Sequence, residues 1–295
     1  MNKTNHEGLI ISLRGDNYFV EMAGIIYKCK ARGLFRLQEI SPVVGDRVMV
    51  DIQNYQEGYI VEVLTRQNYL NRPKIANIDN ALIIISYLDP HYSYFLLNKF
   101  LAIIEHLNIR PIICITKADL ASNIQEIKDA FQDYYDANYD VVITSINDQN
   151  SINNLKMMLI DKLSVLVGQS GAGKSSLLNM IDPTLHLETN IISKALNRGK
   201  HTTRHVEIFH TSFGMIADSP GFSSLDLDLL DAHELAISYH DFKEASQYCK
   251  FNNCLHINEP GCQVKKLVLE KKISSLKYQD YLLFQEEIKK RKVRY

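Results

Sequence analysis

The sequence predicts a multidomain chain: a small N-terminal β-barrel, a central α/β P-loop domain and a C-terminal helical segment built around a metal-binding cluster. Three observations predict it. Residues from about 8 to 66 read as short β-rich runs separated by turns, with no helix between them. From about residue 78, apolar strand-length runs alternate with helical spacing, the pattern of a parallel sheet. After about residue 230 the chain is helical again, interrupted by three cysteines and a histidine. The expected division is 1–69, 70–230 and 231–295.

In the first part the strands are Gly8–Leu13, Tyr18–Met22, Ile25–Cys29, Arg47–Ile52 and Gly58–Val63. Five short strands without helices predict a barrel, and an OB-fold is the commonest such design. Lys28, Lys30 and Arg32 recur at period two, so they share one face of a strand, with Arg36 nearby. Tyr18, Phe19, Tyr27 and Phe35 are interleaved with them. Cations beside rings are the chemistry of an RNA-binding surface, and equally of a solvated strand face over core aromatics.

In the second part Ala81–Ser86 is a continuous apolar run, as in a strand buried on both faces. A helix is expected over Phe95–Leu107, strands over Pro111–Ile115 and Val141–Ile143, and an amphipathic helix over Ile152–Leu163. Ser164–Val167 and Met215–Ala217 are further strands. The first of these two feeds a phosphate-binding loop, Gly168-Gln169-Ser170-Gly171-Ala172-Gly173-Lys174-Ser175, followed by Ser176. Its glycines let backbone amides wrap phosphates closely. Lys174 would neutralise the β- and γ-phosphates, and Ser175 would ligate magnesium.

Asp218-Ser219-Pro220-Gly221 has the form of the magnesium-side D-x-x-G motif. Gly221 could offer its amide to a γ-phosphate. Between them, Gly199–Arg204 holds Thr202 and Thr203, either of which could sense magnesium as switch I. Thr116-Lys117-Ala118-Asp119 is a variant of the guanine-reading N-K-x-D. The Asp119 carboxylate suits the guanine N1 and exocyclic amine, and Lys117 can lie over the base. Thr116 in place of asparagine weakens the scaffolding of this loop. Ser145 is placed to give an amide to the base oxygen. In an ordinary G domain the guanine motif comes last; here it precedes the P-loop, so the domain is circularly permuted. Phe222 stands where Ras-like enzymes carry a water-orienting glutamine, so unassisted hydrolysis should be slow, and His201 is the local candidate to act on water.

In the third part, Cys249, Cys254, His256 and Cys262 lie within a short span, with spacing that suits tetrahedral zinc. Four protein ligands leave no open position, so the ion would be structural. The basic run from Lys289 to Arg294 could grip RNA or be a solvated helix end.

Composition sets the outer bounds. The chain has 295 residues, is 46% hydrophobic and 23% charged, and carries a formal net charge of -1. Any nucleic-acid contact must therefore come from local patches. The N-terminus lacks a signal-like apolar region and no apolar run spans a bilayer, so a cytoplasmic protein without a membrane partner is expected. Five cysteines are an odd count and argue against a disulfide framework. Cys29 and Cys114 read as buried apolar side chains.

Taken together, the motifs resemble the ribosome small-subunit-dependent GTPase A family. The resemblance covers nearly all of the chain and is most specific in the permuted order, Gly199–Thr203, Asp218–Gly221 and the Cys249–Cys262 spacing. It implies an OB-fold, a circularly permuted GTPase and a zinc domain. It further implies GTP hydrolysis stimulated by the small (30S) subunit during its late maturation, contacts with 16S rRNA, and a proposed hydrolytic role for the histidine matching His201. A monomer is expected. Two other readings stay open: a nucleotide-sensing RNA-binding factor with incidental turnover, and a permuted GTPase with another role.

Overall fold

The computed structural model describes residues 5–32, 35, 41–71, 73–145, 148–185, 206–218 and 225–292, with only the backbone at 185, 218 and 292. Five strands make the barrel: β1 (Asn5–Arg14), β2 (Asn17–Met22), β3 (Ile25–Ala31), β4 (Arg47–Asn54) and β5 (Glu57–Val63). Their order β1-β2-β3-β5-β4 closes because β1 also pairs with β4. β1 can serve both neighbours because it is long and its register slips between Ile10 and Ser12. Such a bulge bends the strand from one side of a barrel to the other. Ile10, Val20, Cys29, Val48, Val50 and Ile60 fill the interior with no exposed surface. The strands overrun the sequence expectation by one to three residues at several ends.

A short hairpin, β6 (Tyr69–Asn71) and β7 (Lys74–Ala76), joins the barrel to the next domain. No strand was expected there. Gly45 makes the joint possible: its φ is +86°, and a Cβ would stand 2.1 Å from the Ala76 carbonyl oxygen. Beside it the Asp46 carboxylate is fully buried and takes Arg66 Nε and Nη2 at 2.7 and 2.8 Å. Asn77 Nδ2 donates to the Gly45 carbonyl at 2.9 Å.

The central sheet contains β8 (Asn80–Ser86), β9 (Arg110–Thr116), β10 (Asp140–Ile143), β11 (Leu163–Val167), β12 (Glu207–His210) and β13 (Met215–Asp218), in the order β10-β9-β8-β11-β13-β12. Alternate residues of β8 serve two cores. Ala81 and Ile83 face α1 (Tyr94–His106), whereas Leu82 and Ile84 face α4 (Gln149–Leu159) and α5 (Lys174–Ile181). Two short helices, α2 (Ile124–Ala130) and α3 (Gln132–Asp136), precede β10. The helix expected over Ile152–Leu163 starts and stops earlier. Asp148 caps it by accepting from the amides of Asn150 and Ser151, and Leu163 already belongs to β11.

The sheet is parallel except for β12. The four residues Thr211–Gly214 cannot form a parallel crossover, and the Thr211 hydroxyl closes them as a hairpin turn onto the Gly214 carbonyl at 2.8 Å. β12 then meets β1 of the barrel, so barrel and central strands form one continuous sheet.

Of the C-terminal helices α6 (Ala232–Ala236), α7 (His240–Ser246), α8 (Gln263–Leu269) and α9 (Ser275–Lys292), α6 and α9 dock on α1, and α8 packs on α7 and α9. Asn98 of α1, fully buried, donates to Asp280 Oδ2 at 2.7 Å and accepts from Tyr134 Oη at 2.9 Å. Asp226, five residues past Gly221 in the chain, accepts from Lys99 of α1 and Arg291 of α9, each at 3.1 Å.

Candidate nucleotide site, metal cluster and basic face

The P-loop leaves β11 through Gly168, whose φ is +146°, and a Cβ there would stand 2.3 Å from the Ile84 carbonyl oxygen. Only glycine lets the loop cross this close to β8. Gly171 and Gly173 also have positive φ, and α5 opens at Lys174 with Gly173 before it. Lys174 Nζ donates to the carbonyls of Gly168 and Gln169 at 2.8 and 2.6 Å. It thus lies folded back over the loop it would share with phosphates. Burial pulls its ammonium down from the ordinary lysine value. Ser170 is exposed, Ala172 and Ser175 are buried, and Ser176 lies one residue along α5.

The guanine-motif residues sit beside this loop, although they precede it by some fifty residues. Thr116 ends β9 and is buried. Its hydroxyl lies 2.6 Å from the Ala172 carbonyl and 3.2 Å from that of Ile85. Where the sequence reading expected a weaker scaffold from threonine, the hydroxyl reaches the P-loop directly. Lys117 takes a left-handed backbone, φ 57°, and its ammonium donates to the Asp89 carbonyl. Asp119 is exposed in a 3-10 turn, free to face a base. The Ala118 amide donates to Thr144 at 3.3 Å, which brings Ser145 alongside.

Asp218 ends β13, paired with Glu207 of β12. It closes the strand rather than following it. Thr202, Thr203, His201, Arg204, Gly221, Phe222 and Arg36 lie outside the described residues.

Cys249, Cys254, His256 and Cys262 converge, with their ligand atoms all within 4.8 Å of one another. His256 Nδ1 lies 3.7 Å from Cys249 Sγ and 3.4 Å from Cys262 Sγ, while Nε2 faces the Ala236 carbonyl at 3.2 Å. One ring nitrogen is thus held by the backbone and the other is aimed at the thiols, the usual setting of a metal-bound imidazole. Burial lowers the His256 pKa and favours the neutral ring. Burial also pushes the Cys254 thiol up to about 12, a cost that a cation bound between the sulfurs would reverse. The amides of Gln263 and Lys265 donate to Cys249 Sγ and Cys262 Sγ at 3.3 and 3.5 Å, which supports thiolates. The donor set fits one tetrahedral ion with no open position.

On the barrel, Lys28 and Lys30 are exposed along β3. Lys28 stands opposite Phe19, and Lys30 opposite Tyr59, which is 42% exposed and was missed in the sequence. Parity could have found it, since Tyr59 alternates with buried Gly58 and Ile60. Arg32 is partly committed to Asp51 at 2.7 Å. Phe35 is buried, and Tyr18, Phe19 and Tyr27 are partly buried against the core, so all four interleaved rings pack on it.

A family model described as RsgA GTPase matches residues 63–228, and one described as RsgA N-terminal domain matches 7–60. A small ribosomal subunit biogenesis GTPase RsgA of Bacillus anthracis is 47% identical over 291 residues, 98% of this chain and 99% of that protein. Its counterpart in Bacillus subtilis (strain 168) is 46% identical over 297 residues, with the same coverage. Among solved structures, YloQ, described as a circularly permuted GTPase, aligns with a TM-score of 0.83 at 40% identity, over 99% of this chain and 98% of that one. YjeQ from Thermotoga maritima aligns at 0.84 and 31%, over 97% and 99%.

Proposed function

This chain belongs to the RsgA family of GTPases, and on that premise we propose that it hydrolyses GTP to GDP and phosphate while assisting late maturation of the small ribosomal subunit. The observation that carries the reading is the Thr116–Ala172 hydrogen bond, which unites a guanine-type loop and a phosphate loop in permuted chain order.

Asp119 reads guanine, Lys117 covers the base, and Ser145 offers its amide to the base oxygen. The loop Gly168–Ser176 wraps the phosphates, with Lys174 moving from its own carbonyls to the β- and γ-phosphates. Ser175 and Thr202, with Asp218, would hold the magnesium that comes with the nucleotide, and that ion would shield phosphate charge. Thr203 and Gly221 complete the γ-phosphate contacts, and His201 acts on the attacking water. The four-ligand cluster holds one zinc ion in a structural role. Lys28, Lys30, Arg32 and Arg36 meet rRNA phosphates of the 30S subunit. The domains divide as 1–69, 70–230 and 231–295, and the protein works as a cytoplasmic monomer. Among the described residues no helix is long and apolar enough to cross a membrane.

The test is single-turnover hydrolysis of GTP with and without purified small subunits. The expected result is slow hydrolysis alone and strong stimulation by the subunit. Subunit binding that depends on GTP yet brings no stimulation favours the RNA-binding factor with incidental turnover instead.

A further inference from the structure

The turn after β8 belongs to none of the five nucleotide motifs, yet it walls the same site. Ser86 ends β8 and is buried. Its hydroxyl donates to the Asp89 carbonyl at 2.8 Å and accepts from the Asp89 amide at 3.2 Å. One side chain therefore closes the turn from Ser86 to Asp89. The Lys117 ammonium donates to that same Asp89 carbonyl. Pro90, next in the chain, places its Cδ 3.5 Å from where a Cβ on Gly171 would stand, so the turn also abuts the P-loop. The Tyr87 amide bonds the Thr116 carbonyl at 3.1 Å, which ties the start of the turn to the guanine loop.

A free lysine side chain loses rotamer freedom when its end is held. Anchoring its ammonium to the Asp89 carbonyl restrains the methylene stem between two held ends. We infer that Ser86 is a positioning residue for nucleotide binding. It fixes the Asp89 carbonyl, the carbonyl anchors Lys117, and the lysine stem becomes a preordered shelf for the purine ring. The inference rests on the guanine-site reading proposed above, in which Lys117 lies over the base. Because a stem packs on any purine face, Ser86 governs how tightly nucleotide is held, whereas Asp119 governs which base is accepted.

The experiment measures release of methylanthraniloyl-GDP from the full-length protein by stopped flow. Ser86→Ala is expected to release it roughly tenfold faster, the worth of one hydrogen bond in a charged network. In a Lys117→Met background, which keeps an unbranched stem but no ammonium, Ser86→Ala is expected to add nothing. An equal acceleration in both backgrounds overturns the inference, since Ser86 would then only firm up the fold. So does an unchanged rate in the single variant. If ATP displaces the wild-type complex as readily as GTP, the guanine reading itself has failed, whatever Ser86 does.

Discussion

Glu207 stands opposite Asp218 across β12 and β13, and on its other side it pairs with Ser12 of the barrel. A single lateral line thus runs from the barrel wall to Asp218. Two side-chain pairs flank it: Arg14 with Glu207 at 3.0 Å, and His210 with Glu21 at 2.5 Å. A barrel seated on RNA has this narrow seam through which to act on the site.

Removing both flanking side chains, in an Arg14→Ala, His210→Ala double variant, is expected to loosen the seam without unfolding the barrel. Both pairs are solvent-exposed, so the stability loss should stay within about 1 kcal/mol. Amides of Glu207–His210 should exchange faster with solvent, and subunit-stimulated hydrolysis should fall while unstimulated hydrolysis holds. Unchanged exchange in β12 would show that the single backbone pairing carries the joint alone.

Thr116 and Asp119 should separate affinity from base choice. Thr116→Ala leaves the Ala172 carbonyl without its partner in a buried place, so GTP and GDP should both bind about tenfold more weakly. Preference over ATP should persist. Asp119→Asn should instead lose that preference. Calorimetry with three nucleotides reads both outcomes, and a Thr116→Ala protein that favours ATP would contradict the division.

Much of this was legible because local patterns and tertiary structure agree. Period-two runs such as Arg47–Ile52 have one face to bury, and Ala81–Ser86 has two, so burial and pattern coincide. β12 was not legible. Glu207–His210 is four residues long with a polar side chain at both ends, and it is a strand only because β13 and β1 flank it. The β6–β7 hairpin likewise owes its form to Gly45 and the Asp46–Arg66 pair, contacts distant in sequence. Within the site, glycines and the lysine advertised the P-loop. The role of Ser86 did not show, since a serine before Asp-Pro signals only a turn.

The metal cluster predicts coupled folding and binding. Purified protein prepared without chelator should hold one zinc ion per chain by elemental analysis. Cys254→Ser should lose it and unfold the segment clasped by α9, where Tyr278 and Tyr281 bond the carbonyls of His256 and Leu255. Prolonged chelation should do the same to the wild type. Circular dichroism melts that are identical with and without metal would refute a structural ion.

His240 predicts a pH dependence of opposite sign to ordinary acid denaturation. Its Nδ1 lies 2.8 Å from Glu105 Oε2, and its Nε2 lies 2.5 Å from the Ala137 carbonyl. Both ring nitrogens face acceptors, so the doubly protonated cation satisfies both. Glu105 also takes Tyr139 Oη at 2.6 Å, and Asp241 with Lys277 stands next along the interface. The hydrogen bond that His240 donates to Glu105 raises its pKa above the ordinary 6.5, against the opposing pull of burial. A folded-state pKa above the unfolded one means folding favours proton uptake. The stabilisation is therefore complete below about pH 6.5 and is lost as pH rises through the folded value. The melting-temperature gap between wild type and His240→Gln should be widest near pH 6 and narrow toward pH 8.5. Comparing differences removes the contribution of every other titrating group. In a Glu105→Gln background the gap should lose most of its pH dependence, because the carboxylate that favours the cation is gone. A gap that widens with rising pH would mean the neutral ring is the form this interface holds.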